Sequence, residues 1–236
     1  RFTKEELMER YKQIVGEIAA QIPEGYISVE VPADHETKAD EMICDARELS
    51  LWAERTHIKL PTNLSGIEAA HVLGKSGFDL NMTLLFSQQQ AGAVYESTRD
   101  NIFGDVYISP FVGRLNDQGK NGLSFVENIQ KMLKPGDGHI KILMASVRDV
   151  ESVIWGFDHE VEAITAPLAV WKEWAEMGKP RALTIEQRDM LAERGEEIPY
   201  EDVDILKEVN SYELSHDLTD AGLERFATDW NHLIDP

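Results

Sequence analysis

Residues 56–70 read THIKLPTNLSGIEAA, and this stretch indicates the fold. Its first five residues form a short apolar run with β-branched side chains that stops at a proline, as a strand of a βα unit does. Thr56 and Ile58 share one face of this strand, whereas His57 and Lys59 share the other. Apolar residues at helical spacing follow the proline. The stretch therefore predicts a strand that leads directly into a helix.

The same alternation runs through most of the chain. The predicted strands are 26–32, 56–60, 79–84, 105–109, 139–145 and 161–165, and the predicted helices are 3–20, 36–52, 65–75, 88–97, 123–133, 150–157 and 168–177. Strict alternation implies parallel strands with right-handed crossovers. The fold is therefore either an open doubly wound α/β sheet or a closed (β/α)8 TIM barrel.

Polar residues at the carboxyl ends of the strands favour the barrel. These residues are Glu30, Lys59, Thr83, Ser109 and Ser146. A barrel brings all such ends to one site, whereas an open sheet keeps most of them apart. No Gly-x-Gly-x-x-Gly pattern follows any strand, which weakens the nucleotide-binding version of the open sheet. Six strands are two fewer than eight, so we expect strands three to eight within 1–178 and two further strands before Arg1.

The segment 179–236 has a different composition, acidic and containing prolines. We predict helical pieces at 184–194 and 200–209 and a final helix at 218–233, with Asp217 or Thr219 as its N-cap. This helical extension is expected to pack on the barrel or on a neighbouring subunit of a homo-oligomer. It carries no recognisable catalytic pattern.

Charge and cysteine content limit the partners and the compartment. The net charge of −20 disfavours nucleic acid and anionic membranes as partners. An anionic substrate would then require local arginines. The single cysteine, Cys44, cannot form an internal disulfide and is expected to be a small buried residue, which suits a reducing cytoplasm. No apolar run approaches the roughly 18 residues of a membrane-spanning helix.

Lys59 is the residue whose position calls for a chemical explanation. An apolar environment disfavours the charged form of a lysine, and a neutral amine is what addition to a carbonyl requires. The plainer alternative is a lysine at a strand tip that reaches solvent or a carboxylate.

Five motifs in order resemble the transaldolase family, which includes the closely similar fructose-6-phosphate aldolases. They are HIKLP at 57–61 with GIEAA at 66–70, LNMTLLFS at 80–87, ISPFVGR at 108–114, LMASVR at 143–148 and ITAP at 164–167. The resemblance covers about 26–177 and extends weakly to 218–230. It implies a class I aldolase of carbohydrate metabolism and the pentose phosphate pathway, with no metal and no organic cofactor.

The resemblance also implies roles for individual residues. Lys59 would form a Schiff base with a ketose phosphate, while Glu30 and Thr83 would handle the protons and hold a catalytic water. Asn81 would bind sugar hydroxyls. The expected phosphate site comprises Ser109, Arg114, Ser146 and Arg148, of which the two arginines are placed in loops. The plainer alternatives are that Glu30 is a solvated acid at a strand end, that Asn81 is a capping amide at a strand start, and that the two arginines are solvated.

Two positions separate the branches of the family. Fructose-6-phosphate aldolases are expected to carry Gln in place of Glu30 and Tyr in place of Phe111, so this chain resembles the transaldolases at both. The leading hypothesis is transfer of a dihydroxyacetone unit between sugar phosphates. The alternatives are an aldolase that releases dihydroxyacetone, an enzyme for a sulfonated sugar, and a barrel that binds a sugar phosphate without turnover. The aspartate expected on the first barrel strand has no counterpart before Lys59.

Overall fold

The computed structural model describes residues 2–99, 101 and 104–234. The elements up to the fourth strand are α1 (Lys4–Gln21), β1 (Ile27–Glu30), α2 (Ala39–Leu49), β2 (Thr56–Pro61), α3 (Leu64–Lys75), β3 (Leu80–Leu85), α4 (Gln88–Thr98) and β4 (Val106–Pro110). They are followed by α5 (Val112–Asp117), β5 (Lys120–Asn121), α6 (Gly122–Leu133), β6 (Ile140–Met144), α7 (Val150–Asp158), β7 (Ala163–Ile164), α8 (Leu168–Glu176), α9 (Ile185–Ala192), β8 (Glu196–Glu197) and α10 (Asp217–Asn231).

Six of these strands form one parallel sheet in the order β1-β2-β3-β4-β6-β7, which confirms the predicted α/β class. β5 and β8 pair separately as a small parallel ladder. In the described residues β1 and β7 are not paired with each other, so the sheet is a curled half-barrel. The closed eight-stranded barrel stays a prediction.

The strand register places the residues at the carboxyl ends side by side. Glu30 is paired with Lys59 across β1 and β2, and Lys59 with Asn81 across β2 and β3. Residues that are partners in a ladder point to the same face of a sheet. Lys59 therefore points to the same face of the sheet as Glu30 and Asn81.

The segment after α8 shares the core of the sheet and helices. Leu183, Leu191, Val203 and Leu223 are buried in the same hydrophobic cluster as the strands. The helix predicted at 200–209 is wrong, because this stretch is an irregular loop with a turn at 205–206 and ends in a short 3-10 helix at Val209–Ser211. The side chain of Gln88 holds the backbone of this stretch. Its amide oxygen accepts from the backbone amide of Glu201 at 2.8 Å, and its amide nitrogen donates to the backbone carbonyl of Glu201 at 2.6 Å.

Three further expectations need correction. Helix α5 was not predicted, and it carries Arg114 on a helix rather than in a loop. The N-cap of α10 is His216, whose side chain accepts from the amide of Leu218 at 3.1 Å, rather than Asp217 or Thr219. Cys44 is exposed, because the buried face of α2 is formed by other residues.

Candidate active site

The centre of the site is an ion pair between two adjacent strands. Lys59 Nζ lies 2.8 Å from Glu30 Oε2, and their side chains are 22% and 32% exposed. The sequence context of Lys59 suggested an isolated amine in an apolar strand. In the structure a carboxylate contacts this amine directly. Such a pair can pass a proton from the ammonium to the carboxylate, which is the first requirement for a nucleophilic amine.

Tyr11 of α1 holds the backbone of Glu30 in place. Its hydroxyl accepts from the amide of Glu30 at 2.9 Å and lies 3.4 Å from the carbonyl oxygen of Glu30. Burial raises the pKa of Tyr11 to about 12, so the phenol stays neutral at physiological pH. Tyr11 thus fixes the strand end while leaving the carboxylate of Glu30 free to contact Lys59. No sequence pattern had indicated this residue.

Asn81 is held between two serines beside Lys59. Its amide nitrogen donates to Ser28 Oγ at 2.9 Å, and its oxygen accepts from Ser109 Oγ at 2.6 Å. Ser109 is buried, and its hydroxyl makes this bond with Asn81, while its assignment to the anion site stays a prediction. Ser28 was not predicted, because an exposed serine near the start of a strand carries no distinctive pattern.

Thr83 follows Asn81 on the same face of β3. It is fully buried, and its hydroxyl makes no hydrogen bond within the described part of the chain. Its carbonyl accepts from the amide and the hydroxyl of Thr62 at 2.9 and 2.7 Å. A buried hydroxyl without a partner is costly unless a water or ligand satisfies it. Thr83 is therefore suited to hold a small polar molecule.

The two predicted arginines lie together beyond the end of β4. The guanidinium of Arg148 contacts both carboxylate oxygens of Asp117, at 2.5 and 2.7 Å. This pair raises the pKa of Arg148 and lowers the pKa of Asp117. Burial lowers the pKa of Arg114, and the positive charges of Arg225 and Arg148 lower it further. The cluster of positive charges is thus only partly neutralised, which favours an anion.

Gly113 allows these groups to approach one another. A Cβ atom at this position would lie 2.2 Å from the carbonyl oxygen of Ser146, 2.8 Å from Arg148 Nε and 2.9 Å from Ser146 Oγ. Ser146 itself has a positive φ of 57°. Such a backbone conformation is uncommon outside glycine and is often found at functional sites. The predicted residues Ser146 and Arg148 therefore lie against α5, the helix that carries Arg114.

Helix α10 supplies a residue that the sequence did not identify. The Phe226 ring centroid lies 5.6 Å from Lys59 Nζ and 5.5 Å from Arg114 Cζ. The two charges are therefore at most about 11 Å apart. Phe111, the residue expected to separate the family branches, lies 5.4 Å from the same Arg114 Cζ. The absence of a catalytic pattern in the extension was misleading, although the weak resemblance at 218–230 was a signal.

A cavity of about 540 Å³ opens next to Glu30 and Phe226. Its walls come from α1, which contributes Tyr11, from the loop after β1, from Pro61 at the end of β2, and from α10, which contributes Trp230. Lys59 is not among the lining residues, so the cavity reaches the ion pair from the Glu30 side. No cluster of three metal-ligating side chains occurs in the described residues. None of the described helices is long and apolar enough to cross a membrane.

The protein is thus a parallel α/β protein with a lysine–carboxylate pair and a basic cluster at the carboxyl ends of its strands. The sequence profile of the family described as "Transaldolase/Fructose-6-phosphate aldolase" matches residues 3–236. The chain belongs to this family.

Several curated relatives carry the name "Probable transaldolase". The protein of Thermoanaerobacter sp. is 33% identical over 218 residues, which cover 92% of this chain and 78% of that protein. The protein of Dehalococcoides mccartyi is 30% identical over 225 residues, covering 94% of this chain and 81% of that protein. The protein of Lactiplantibacillus plantarum is 31% identical over 221 residues, with coverage of 93% and 79%.

Proposed function

We propose that the protein is a transaldolase that moves a dihydroxyacetone unit from a ketose phosphate to an aldose phosphate through a Schiff base on Lys59. The single observation that carries the proposal is the contact of 2.8 Å between Lys59 Nζ and Glu30 Oε2, in a family of transaldolases and aldolases. The position of Lys59 between Glu30 and Asn81 supports a nucleophile surrounded by groups that can handle protons and hydroxyls.

Imine formation follows from this pair. Glu30 accepts a proton from the ammonium of Lys59, and the neutral amine adds to the C2 carbonyl of the ketose to give a carbinolamine. Glu30, directly or through a water held by Thr83, then protonates the departing C2 hydroxyl. Water leaves and an iminium ion remains. The buried hydroxyl of Thr83, which has no partner among the described residues, supports its role in holding that water.

Cleavage uses the iminium as an electron sink. The C3–C4 bond breaks, its electron pair moves into the enamine, and the proton of the C4 hydroxyl passes to a base as an aldose phosphate departs. C3 of the enamine then attacks the acceptor aldehyde, whose oxygen takes up a proton. Hydrolysis of the new iminium releases the product ketose and regenerates Lys59. The base for the C4 hydroxyl stays unassigned, because no residue before Lys59 matches the aspartate that the resemblance implies.

The basic cluster would hold the phosphate of the sugar. Arg114, Ser146 and Arg148 lie together, and the bidentate contact of Arg148 with Asp117 supports a fixed position for its guanidinium. C2 and the phosphorus of an extended fructose 6-phosphate are roughly 7 Å apart, given carbon–carbon bonds of about 1.5 Å. An upper limit of about 11 Å between Lys59 Nζ and Arg114 Cζ is compatible with that span. A sulfonate has similar oxygen geometry and is the alternative anion.

Phe111 favours transfer over release of dihydroxyacetone. Its buried ring packs edge-on against Phe86 with centroids 5.7 Å apart, and it carries no hydroxyl that could relay a proton. An aldolase of the fructose-6-phosphate type would be expected to use a tyrosine here. A barrel that binds the sugar without turnover would need the Lys59–Glu30 pair to be purely structural.

A closed eight-stranded barrel and a homo-oligomer in the cytoplasm also belong to this proposal. The common face shared by Glu30, Lys59 and Asn81 supports the barrel. Helix α10 packs on its own chain, so it gives the oligomer no support of the kind its sequence suggested. The division into 1–178 and 179–236 is likewise a proposal, and the shared core supports two parts that fold together.

The test is a transfer assay with fructose 6-phosphate as donor and erythrose 4-phosphate as acceptor. Lys59→Met is expected to abolish formation of the seven-carbon ketose phosphate. Lys141→Met is the matched control, because Lys141 also pairs with a carboxylate, that of Asp105, at 2.6 Å. The proposal would be contradicted if Lys59→Met formed the seven-carbon ketose phosphate as well as an active Lys141→Met does. A wild-type protein that cleaves the donor but forms no transfer product would favour the aldolase alternative.

A further inference from the structure

Phe226 lies where it can control the fate of a unit bound to Lys59. Its ring centroid is within 6 Å of both the Lys59 amine and the Arg114 guanidinium. The ring is half-buried, and it forms part of the wall of the cavity beside Glu30. An aromatic ring at this distance attracts a cation and also excludes water from that side of the nitrogen.

The start of α10 is firmly attached to the sheet. Thr219 Oγ1 donates to the carbonyl of Leu84 at 2.9 Å and accepts from the side chain of Gln90 at 2.8 Å. At Gly222 a Cβ atom would lie 2.5 Å from the Leu84 side chain and 2.6 Å from Arg114 Nη1. Because position 222 is a glycine, the helix can approach the end of β3 more closely than any other residue would allow.

A second attachment follows Phe226 on the same helix. The Trp230 ring packs edge-on against Tyr11, with centroids 5.9 Å apart. Tyr11 in turn binds the backbone of Glu30. Phe226 thus lies between two fixed points, one at each end of α10. Its ring is held over the site by packing and does not depend on a mobile loop.

We propose that Phe226 determines whether the three-carbon unit on Lys59 is transferred to an aldehyde or released to water. This inference rests on the proposed function. In transfer, C3 of the enamine bonds to the acceptor carbon and the acceptor oxygen takes a proton. In release, C3 takes a proton instead, water adds to C2 of the resulting iminium, and the C–N bond breaks to give dihydroxyacetone and the free amine of Lys59.

The ring acts differently on these two fates. Release requires a water molecule at C2, directly beside the nitrogen that Phe226 covers. Transfer requires an aldehyde at C3 and no water until the new bond has formed. The ring also faces the cationic iminium that precedes and follows the enamine, and this contact favours the bound state over hydrolysis. Removal of the ring should therefore favour release.

The experiment measures the ratio of dihydroxyacetone released to ketose formed, with fructose 6-phosphate as donor and erythrose 4-phosphate as acceptor. We expect Phe226→Ala to raise this ratio roughly tenfold, in line with the strength of a partly desolvated cation–π contact and the loss of shielding. Phe226→Leu, which keeps apolar bulk, should give a smaller rise. Both fates start from one intermediate, so the ratio does not depend on the fraction of folded enzyme.

The matched control is Leu218→Ala, which removes a half-buried apolar side chain from α10. Its ratio should stay within about twofold of the wild type. An unchanged ratio in Phe226→Ala would overturn the inference, as would an equal rise in Leu218→Ala. Borohydride trapping on the wild type separates this failure from failure of the proposed function: no adduct on Lys59 would overturn both, whereas an adduct with an unchanged ratio overturns only the role of Phe226.

Discussion

Replacement of Glu30 by glutamine tests the proton-handling role of the ion pair. The carboxylate contacts Lys59 Nζ at 2.8 Å and is the acceptor for its proton in the proposed mechanism. An amide of the same shape cannot take that proton. General acid–base groups contribute roughly 100-fold to 10,000-fold in rate, which is about 3–5 kcal/mol of transition-state stabilisation. We expect Glu30→Gln to lower kcat for transfer within this range.

The fold should survive this substitution. Tyr11 binds the backbone of residue 30, not its side chain, and the amide oxygen can still accept a hydrogen bond from Lys59. The free energy of unfolding should therefore fall by only about 1 kcal/mol, as measured by urea denaturation. Reduction with borohydride at high donor concentration should also trap the adduct more slowly than in the wild type.

The control is Glu24→Gln, which removes a carboxylate that pairs with Arg55 at 3.4 Å on the exposed surface. This variant should keep full activity. A Glu30→Gln enzyme with kcat within threefold of the wild type would refute the role of Glu30. A loss of activity accompanied by a large loss of stability would instead show that the pair is structural.

Three other predictions concern the anion site, the attachment of α10 and its cap. Arg114→Gln should raise KM for fructose 6-phosphate roughly 10-fold to 100-fold. Borohydride trapping with dihydroxyacetone, which has no phosphate, should change less than threefold in the same variant. Equal effects on both substrates would exclude a contact of Arg114 with the phosphate. Gln90→Leu should lower the free energy of unfolding by about 3 kcal/mol in urea denaturation, because the buried Gln90 accepts from the amides of Phe86 and Ser87 and joins Thr219; the neighbouring Gln89→Leu should cost less than about 1 kcal/mol, and equal costs would argue against this role. His216 is predicted to make stability fall as the pH drops, because burial lowers its pKa below the ordinary value and its Nδ1 caps α10 only when unprotonated. This stabilisation is complete above the unfolded pKa of about 6.5 and is lost as the pH falls through the lower folded value. The Tm of the wild type relative to that of His216→Asn should therefore be lower at about pH 5 than at about pH 8, and a constant difference would contradict this.

The regular part of the fold was predictable because its signals are local. β2 was predicted at 56–60 and observed at Thr56–Pro61, and α1 was predicted at 3–20 and observed at Lys4–Gln21. Thr3 caps α1 through a capping box with Glu6. Apolar periodicity, a proline stop and capping residues all act within a few positions of one another, so one sequence is sufficient to identify them.

The errors arise where distant parts of the chain decide the structure. The stretch 200–209 is an irregular loop rather than a helix because Gln88, more than a hundred residues earlier, binds the backbone of Glu201. The last strand was predicted at 161–165 but is paired over only Ala163 and Ile164. Local composition contains no information about either contact.

The candidate site was predictable in its members but not in its grouping. Glu30 and Lys59 were identified from the family resemblance, and the register of β1 and β2 places them together. Ser109 is predicted to belong to the anion site, and the bond of 2.6 Å from its hydroxyl to Asn81 was not predicted. Tyr11, Ser28 and Phe226 were missed, because ordinary core or surface residues acquire their positions in the site only through tertiary packing.

The most direct test of the central claim is reduction with borohydride in the presence of fructose 6-phosphate, followed by peptide mass spectrometry across 58–73. We predict a three-carbon adduct on Lys59, which would establish imine formation and carbon–carbon cleavage together. A six-carbon adduct alone would mean that the imine forms without cleavage. Absence of any adduct with all ketose phosphates and sulfonates tested, on folded protein, would contradict the Schiff-base account and favour a barrel that only binds its sugar.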